Sequence, residues 1–214
     1  MTERTIKVTA MTRVEGEGGL YVKLRDDIVE DIRLEIYEPP RLFEALLRGR
    51  ALEEVPDITA RICGICPVAY QMSSVHALED ALNITIAPEI RRLRRLLYCG
   101  EWMESHALHD YLLNAPDFLG FSSGLEMAEA FPDEVNRGLR MKKHGNQMLE
   151  VLGGRAIHPI NVAVGGFYRA PRRDDLQRLL PDLQWCLQAA VETTRWVAGF
   201  NFPEFDCGYQ LVSL

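Results

Sequence analysis

Apolar and polar residues alternate in three stretches near the start of the chain: Ile6 and Val8, then Leu20, Val22 and Leu24, then Ile32, Leu34 and Ile36. A period of two is that of a strand with one face turned inward. Gly16, Gly18 and Gly19 punctuate the first gap and Asp26-Asp27 the second, as hairpin connections do. The pattern predicts a small antiparallel sheet over residues 1–40.

From Arg41 the period becomes helical. Leu42, Ala45 and Leu46 share one face of a short helix ending at Gly49. Pro67 suits a first helical position, and Val68, Met72, Val75 and Leu82 then recur at helical spacings. A long helix rich in Leu and Arg is expected from about Pro88 to Asn114, stopping before Pro116. Another covers roughly Asp133 to Leu152 and ends at Gly153-Gly154. Ala156 to Tyr168 reads as irregular. Asp174 or Asp175 is placed to cap a last helix through Leu176, Leu179, Leu183, Leu187 and Val191. Tyr209 to Leu214 alternate like the start of a strand with no visible partner in the chain. No repeat, low-complexity tract or linker interrupts this order. The expected fold is mainly α with a small N-terminal antiparallel β-sheet (α+β), the sheet in residues 1–40 and a helical body in residues 41–214.

Composition changes the picture little. Of 214 residues, 47% are hydrophobic and 26% charged, as in ordinary globular proteins. A net charge of −7 argues against nucleic acid as the main partner, because phosphate binding needs clustered Lys and Arg. The first residues lack the basic-then-apolar order of a signal peptide, and no apolar run reaches the ~18–20 residues of a membrane span. A cytoplasmic location is the expectation.

Cysteine usage carries the first chemical signal. Five cysteines without regular spacing do not form a disulfide framework. Cys63 and Cys66 are paired in sequence, in Arg61-Ile-Cys-Gly-Ile-Cys-Pro, on a turn leading into a helix. C-x-x-C spacing lets two sulfurs reach one metal ion, with Gly64 relieving crowding in the loop, and thiolates suit soft or borderline metals. A structural zinc site would add a second such pair or paired histidines. His106 and His109, three residues apart on the long helix, could supply nitrogen, although packing is the commoner role for such residues. A thioredoxin-like dithiol expects a preceding strand, which Glu53 to Ala60 does not offer.

The wider pattern is more specific. Thr12-Arg-Val-Glu15-Gly, then Glu38-Pro-Pro-Arg-Leu-Phe-Glu44-Ala-Leu-Leu-Arg-Gly-Arg, then Val55-Pro-Asp-Ile-Thr-Ala-Arg61-Ile-Cys63-Gly-Ile-Cys66-Pro, follow in order, with Gly153-Gly-Arg-Ala-Ile-His158-Pro and Gly165-Gly-Phe-Tyr later. This series resembles the large subunit of nickel–iron hydrogenases, in the cytoplasmic branch that includes NAD(P)-linked sulfhydrogenases, and the likeness runs through all 214 residues.

The resemblance implies reversible oxidation of hydrogen at a nickel–iron centre whose iron carries cyanide and carbon monoxide. It implies electrons passing to iron–sulfur clusters in a small subunit, and onward through diaphorase-type electron-transfer subunits. Cys63 then matches a terminal nickel ligand and Cys66 a bridging one. Glu44 matches a carboxylate ligand to magnesium, which favours oxygen donors; by itself it reads as a surface residue beside Arg41 and Arg48. Glu15 matches the residue that relays protons; splitting hydrogen needs a base, and a partly buried glutamate suits that exchange. Arg61 is expected to orient the cysteine loop or to pair with a surface acid.

The chain departs from the common pattern at Glu17 and Tyr70, where histidine is frequent. The family's second cysteine pair, in a motif of the form Asp-Pro-Cys-x-x-Cys-x-x-His, does not occur in these 214 residues, and Cys207 lacks a companion. The expectation is therefore an N-terminal part of a hydrogenase large subunit that binds no stable nickel–iron centre alone. The alternatives are an inactive remnant or scaffold, and a structural zinc module built on Cys63 and Cys66.

Overall fold

The protein is described here by a computed structural model covering residues 2–14, 16–37 and 41–212. It divides into two compact units, Met1–Arg48 and Gly49–Leu214.

The first unit holds β1 (Glu3–Val8), β2 (Gly18–Arg25) and β3 (Ile28–Ile36) in one antiparallel sheet of order β1-β2-β3. The register sets Val8 opposite Leu20 and Ile32 opposite Val22. Asp26 and Asp27 connect β2 to β3 with φ of 46° and 65°, the left-handed region that tight hairpins demand. The alternation therefore marks the strands correctly, but not an inward face. Ile32, Leu34 and Ile36 remain 63%, 60% and 74% exposed, because a three-stranded sheet is a single layer and needs a second to bury its side chains. Helix α1 (Phe43–Leu47) closes the unit and buries no residue.

The second unit is helical. After a 3₁₀ turn at Leu52–Glu54 come α2 (Val55–Ala60), α3 (Pro67–Ala81) and α4 (Pro88–Leu108). Proline opens both α3 and α4, where a missing N–H costs nothing. Helix α7 (Pro132–Gly153) lies closely against α4 and ends on Gly154, whose φ of 84° makes the left-handed cap. The approach depends on glycine: a β-carbon on Gly145 would come within 2.8 Å of the Glu104 backbone nitrogen and of the Gly100 carbonyl oxygen. Val68, Met72, Val75, Leu97, Leu149, Leu152 and Val162 form the core that joins α3, α4 and α7.

Three departures from the sequence pattern have physical causes. The helix beginning at Pro88 does not stop before Pro116; it widens to a π-helix over His109–Asn114 and continues as α5 (Ala115–Leu119). Pro116 has no N–H to donate and its ring crowds the carbonyl four residues back, so the regular ladder breaks there and the wider turn takes up the mismatch. Neither Asp174 nor Asp175 caps α8 (Arg173–Val197): the cap is Arg172, without a side-chain bond. Both aspartates lie in the first turn, where negative charge meets the positive end of the helix dipole. Residues 209–212 form no strand.

The sequence pattern also passed over α6 (Gly124–Ala130) and the two-residue pair β4 (Val162–Ala163) and β5 (Gly166–Phe167), which turn at Gly165. A buried pair holds that hairpin: Arg94 grips Glu79 at 2.9 and 2.6 Å and donates to the Ala163 carbonyl, while Glu79 accepts from the Gly165 N–H at 2.7 Å.

Candidate metal centre

Cys63 and Cys66 lie on the six-residue turn between α2 and α3. Its two flanking helices are tied by the Thr59 hydroxyl, 2.9 Å from the Ser74 hydroxyl, while Thr59 also donates back to the carbonyls of its own helix. This tie fixes the base of the turn. At its tip the Cys66 N–H points at the Cys63 sulfur, 3.1 Å away. N–H groups aimed at sulfur favour negative charge there.

The two sulfurs are joined as a disulfide. In this state neither sulfur is a free thiolate, and the single bridge between neighbouring residues is not a disulfide framework. A separation of three residues on a tight turn places the α-carbons 5.4 Å apart, within the span a disulfide bridges. The setting is still not thioredoxin-like, since helix α2 rather than a strand precedes the turn. Gly64 does not play the expected steric part: a β-carbon there meets nothing within 4 Å. Cys99, Cys186 and Cys207 are free; Cys186 is buried, and burial pushes its thiol up to about 11.

Arg61, the first residue of the turn, pairs with Asp57 one helical turn back at 3.1 Å, and both are largely exposed. Surface pairing was the second of the two roles expected for it. Its other nitrogen reaches the His158 ring at 3.4 Å. His158 stands at φ 51°, and its Nε2 is buried without a partner. Burial pushes its pKa down, the charges of Arg61 and Arg155 push the same way, and the Cys63 backbone and Asp57 pull back. Gln71 on α3 donates to the Pro159 carbonyl at 2.8 Å and so holds the His158-Pro159 segment against the helix that follows the turn. The Gly-Gly-Arg-Ala-Ile-His-Pro motif was the available signal for this neighbour, although no role was read from it.

A second neighbour was missed. Glu101 on α4 is 2% exposed and accepts the N–H groups of Val68, at 2.5 Å, and Ala69, at 3.3 Å, at the open end of α3. Burial raises its pKa to about 7, and the Glu104 charge adds to the rise against the two backbone bonds. Glu104, also buried, pairs with Lys142 of α7. The available signal was position: Glu101 sits one turn after Leu97, on the apolar stripe of α4.

The other expected residues are described one by one. Glu44 is exposed on α1 in the first unit. Glu15 lies outside the described residues. His106 is exposed, and His109 is bonded through its ring nitrogen to the Ser105 carbonyl at 2.7 Å, a helix-internal role. Among the described residues no three or more His, Cys, Asp or Glu side chains form a group able to hold a metal.

The turn therefore fits part of a thiolate metal site. Two electrons and two protons open its disulfide to a dithiol, and loss of the thiol protons gives two adjacent donors on a fixed base. Two donors do not complete a four-thiolate set.

Comparison with known proteins points the same way. Residues 41–136, which include the turn, match the family model described as nickel-dependent hydrogenase. The chain is 40% identical over 188 residues to sulfhydrogenase 1 subunit alpha of Pyrococcus furiosus, covering 88% of this chain and 44% of the relative. It is 42% identical over 174 residues to sulfhydrogenase 2 subunit alpha of the same organism, covering 81% and 42%. A crystal structure of an NAD+-reducing [NiFe]-hydrogenase in the H2-reduced state superposes with a TM-score of 0.81 at 30% identity, over 91% of this chain and 46% of that one. The chain thus spans somewhat under half the length of each of these relatives.

Proposed function

We propose that this chain, which belongs to the nickel-dependent hydrogenase family, supplies the amino-terminal part of the hydrogen-activating subunit. In this reading Cys63 and Cys66 provide two of the thiolates of a nickel–iron centre whose iron bears cyanide and carbon monoxide. When bound, such a centre supplies the heterolytic splitting of hydrogen.

The observation that carries the reading is the turn itself, with adjacent sulfurs and an N–H aimed at one of them, inside the segment matched by the family model. The residues of the chain then have separable tasks. Thr59 and Ser74 hold the base of the turn. Arg61 links the turn to His158 and places a fixed positive charge beside it. Glu15 would hold and return the proton, and Glu44 would hold magnesium through a carboxylate oxygen. An iron–sulfur small subunit would take the electrons, with diaphorase-type subunits passing them to a soluble carrier in the cytoplasm. No helix of the described residues is long and apolar enough to cross a membrane.

The test is metal analysis of the chain produced with a small subunit, the hydrogenase maturation machinery and a carboxy-terminal half carrying the second cysteine pair. Nickel and iron together, lost in Cys63→Ser and Cys66→Ser, are the expected result. Zinc in their place, or nickel uptake indifferent to both substitutions, overturns the reading.

A further inference from the structure

The last turns of α3 and the first turns of α4 enclose a cavity of about 520 Å³, at the end of α3 opposite the cysteine turn. A cleft of this size is in the range of small-molecule sites. His76, Glu79 and Asp80 line it from α3, and Arg91, Arg94, Arg95 and Tyr98 from α4, each set at the three- and four-residue spacings of one helix face. The buried Glu79–Arg94 pair forms its floor.

The charges around the cleft are unevenly answered. Glu79 is satisfied by Arg94 and by the Gly165 N–H, whereas Arg94 Nε is buried with no acceptor. A buried N–H without an acceptor is rare in a folded chain. Arg92 and Arg94 each have a carboxylate partner. Arg91 and Arg95 are exposed, and among the described residues no carboxylate pairs with either. Like charges four residues apart on a helix repel, and an anion held between them reverses the sign of that interaction. Three arginines against Glu79 and Asp80 leave the lining with a charge of +1 when His76 is neutral.

The cationic wall is also held in place. The Arg95 guanidinium stacks 4.6 Å from the centre of the Trp102 ring, and Trp102 in turn meets Tyr98 at 5.6 Å. Stacking uses the face of the guanidinium and leaves its edge N–H groups for an oxyanion.

We propose that this cleft binds a small, doubly charged oxyanion, phosphate or a dicarboxylate, between the guanidinium groups of Arg91 and Arg95. These are the groups that guanidinium edges match through paired N–H donors. Asp80 on the facing wall opposes the anion and limits its affinity. The site involves no metal and does not depend on the hydrogenase reading.

The experiment is ¹⁵N–¹H NMR of the full chain, with inorganic phosphate or succinate replacing sodium chloride at constant ionic strength and about pH 7.5, where a phosphate group is mainly dianionic. The signals followed are the Trp102 indole N–H and the backbone N–H groups of Thr85, Arg91 and Arg95. Saturable shifts are expected. Response to both anions supports an oxyanion site, and response to one alone supports it and identifies the group recognised. Arg91→Gln and Arg95→Gln should each weaken binding about tenfold, the loss of one hydrogen-bonded charge. Asp80→Asn should tighten it roughly threefold. Arg92→Gln removes an equal charge from the same helix outside the cleft, and should leave the affinity within about twofold.

No saturation below about 50 mM of either anion overturns the proposal. So does a loss in Arg92→Gln as large as that in Arg91→Gln, which would mark unspecific attraction to a basic helix.

Discussion

Replacing Glu79 by glutamine tests how this fold tolerates buried charge. Glu79 and Arg94 are 7% and 3% exposed in their side chains, and the guanidinium holds the carboxylate through two bonds at 2.9 and 2.6 Å. Arg94 Nε is buried without a partner, and apart from Glu79 the guanidinium donates to the neutral carbonyls of Ala163 and Gly166, so Glu79 is the carboxylate that balances its charge. Glutamine keeps the volume and one acceptor for Arg94 or for the Gly165 N–H, but leaves the cation unbalanced. Breaking a buried pair from one side costs about 3–5 kcal/mol. For a chain of this size each kcal/mol moves the melting temperature by about 2–4 °C, so the fall should be roughly 6–20 °C.

The pH dependence gives a second, independent reading. Burial pushes the Glu79 carboxyl up, but the Arg94 bond, the Gly165 N–H and the Arg94 charge outweigh it, and the net pKa lies below 4.5. The pair's stabilisation is therefore fully present above pH 4.5 and is lost as the pH falls through the lower folded value. Glu79→Gln should remove this acid limb. The assay is thermal unfolding by circular dichroism from pH 3 to 7, with hydrogen exchange at Val162–Phe167 to report whether the hairpin loosens. A fall below about 3 °C at pH 7, together with an unchanged acid limb, would refute the argument that this pair is a net anchor.

Two further outcomes follow from the same packing. Glu101 has the opposite sign: a pKa raised from 4.5 to about 7 means stability lost as pH rises between those values, of order 3 kcal/mol. Glu101→Gln should therefore melt higher than wild type above pH 7 and equally near pH 4, and a parallel pH profile in calorimetry would contradict this. Gly145→Ala sets a β-carbon 2.8 Å from the Glu104 backbone and the Gly100 carbonyl; forcing α4 and α7 apart should cost about 1–3 kcal/mol in urea denaturation, and an unchanged midpoint would show that the helices part freely.

Punctuation was the most legible part of the sequence. Pro67 and Pro88 open helices, and Gly154 closes one, because each acts through its own backbone dihedral or missing donor. The strands were legible for the same local reason, as period-two alternation. Their exposed faces were not, since burial depends on a second layer that no period encodes. The widening at His109–Asn114 was hidden because Pro116 reads as a stop, whereas a π-helix lets the chain pass it. The cysteine turn was legible as a motif, but not its bonding: spacing brings the sulfurs together and leaves open whether they share a metal or each other.

The supports of that turn were illegible for a reason that the fold makes plain. Helix α3 is held by α4 at both ends: Glu101 takes its first N–H groups, and Arg94 binds Glu79 near its last turn. The two α4 residues are seven apart, two helical turns on one face, so α4 runs antiparallel to α3 and grips it at two points. In sequence both are charged residues in a helix rich in charge, and the ordinary expectation is a solvated face. Their partners lie 33 and 15 residues away. Only tertiary contact turns them from surface charge into the frame of the cysteine turn. A charged residue on the apolar stripe of a helix, as Glu101 is beside Leu97, is thus the one mark in sequence that a buried polar contact is being made, and it marks the place without naming the partner.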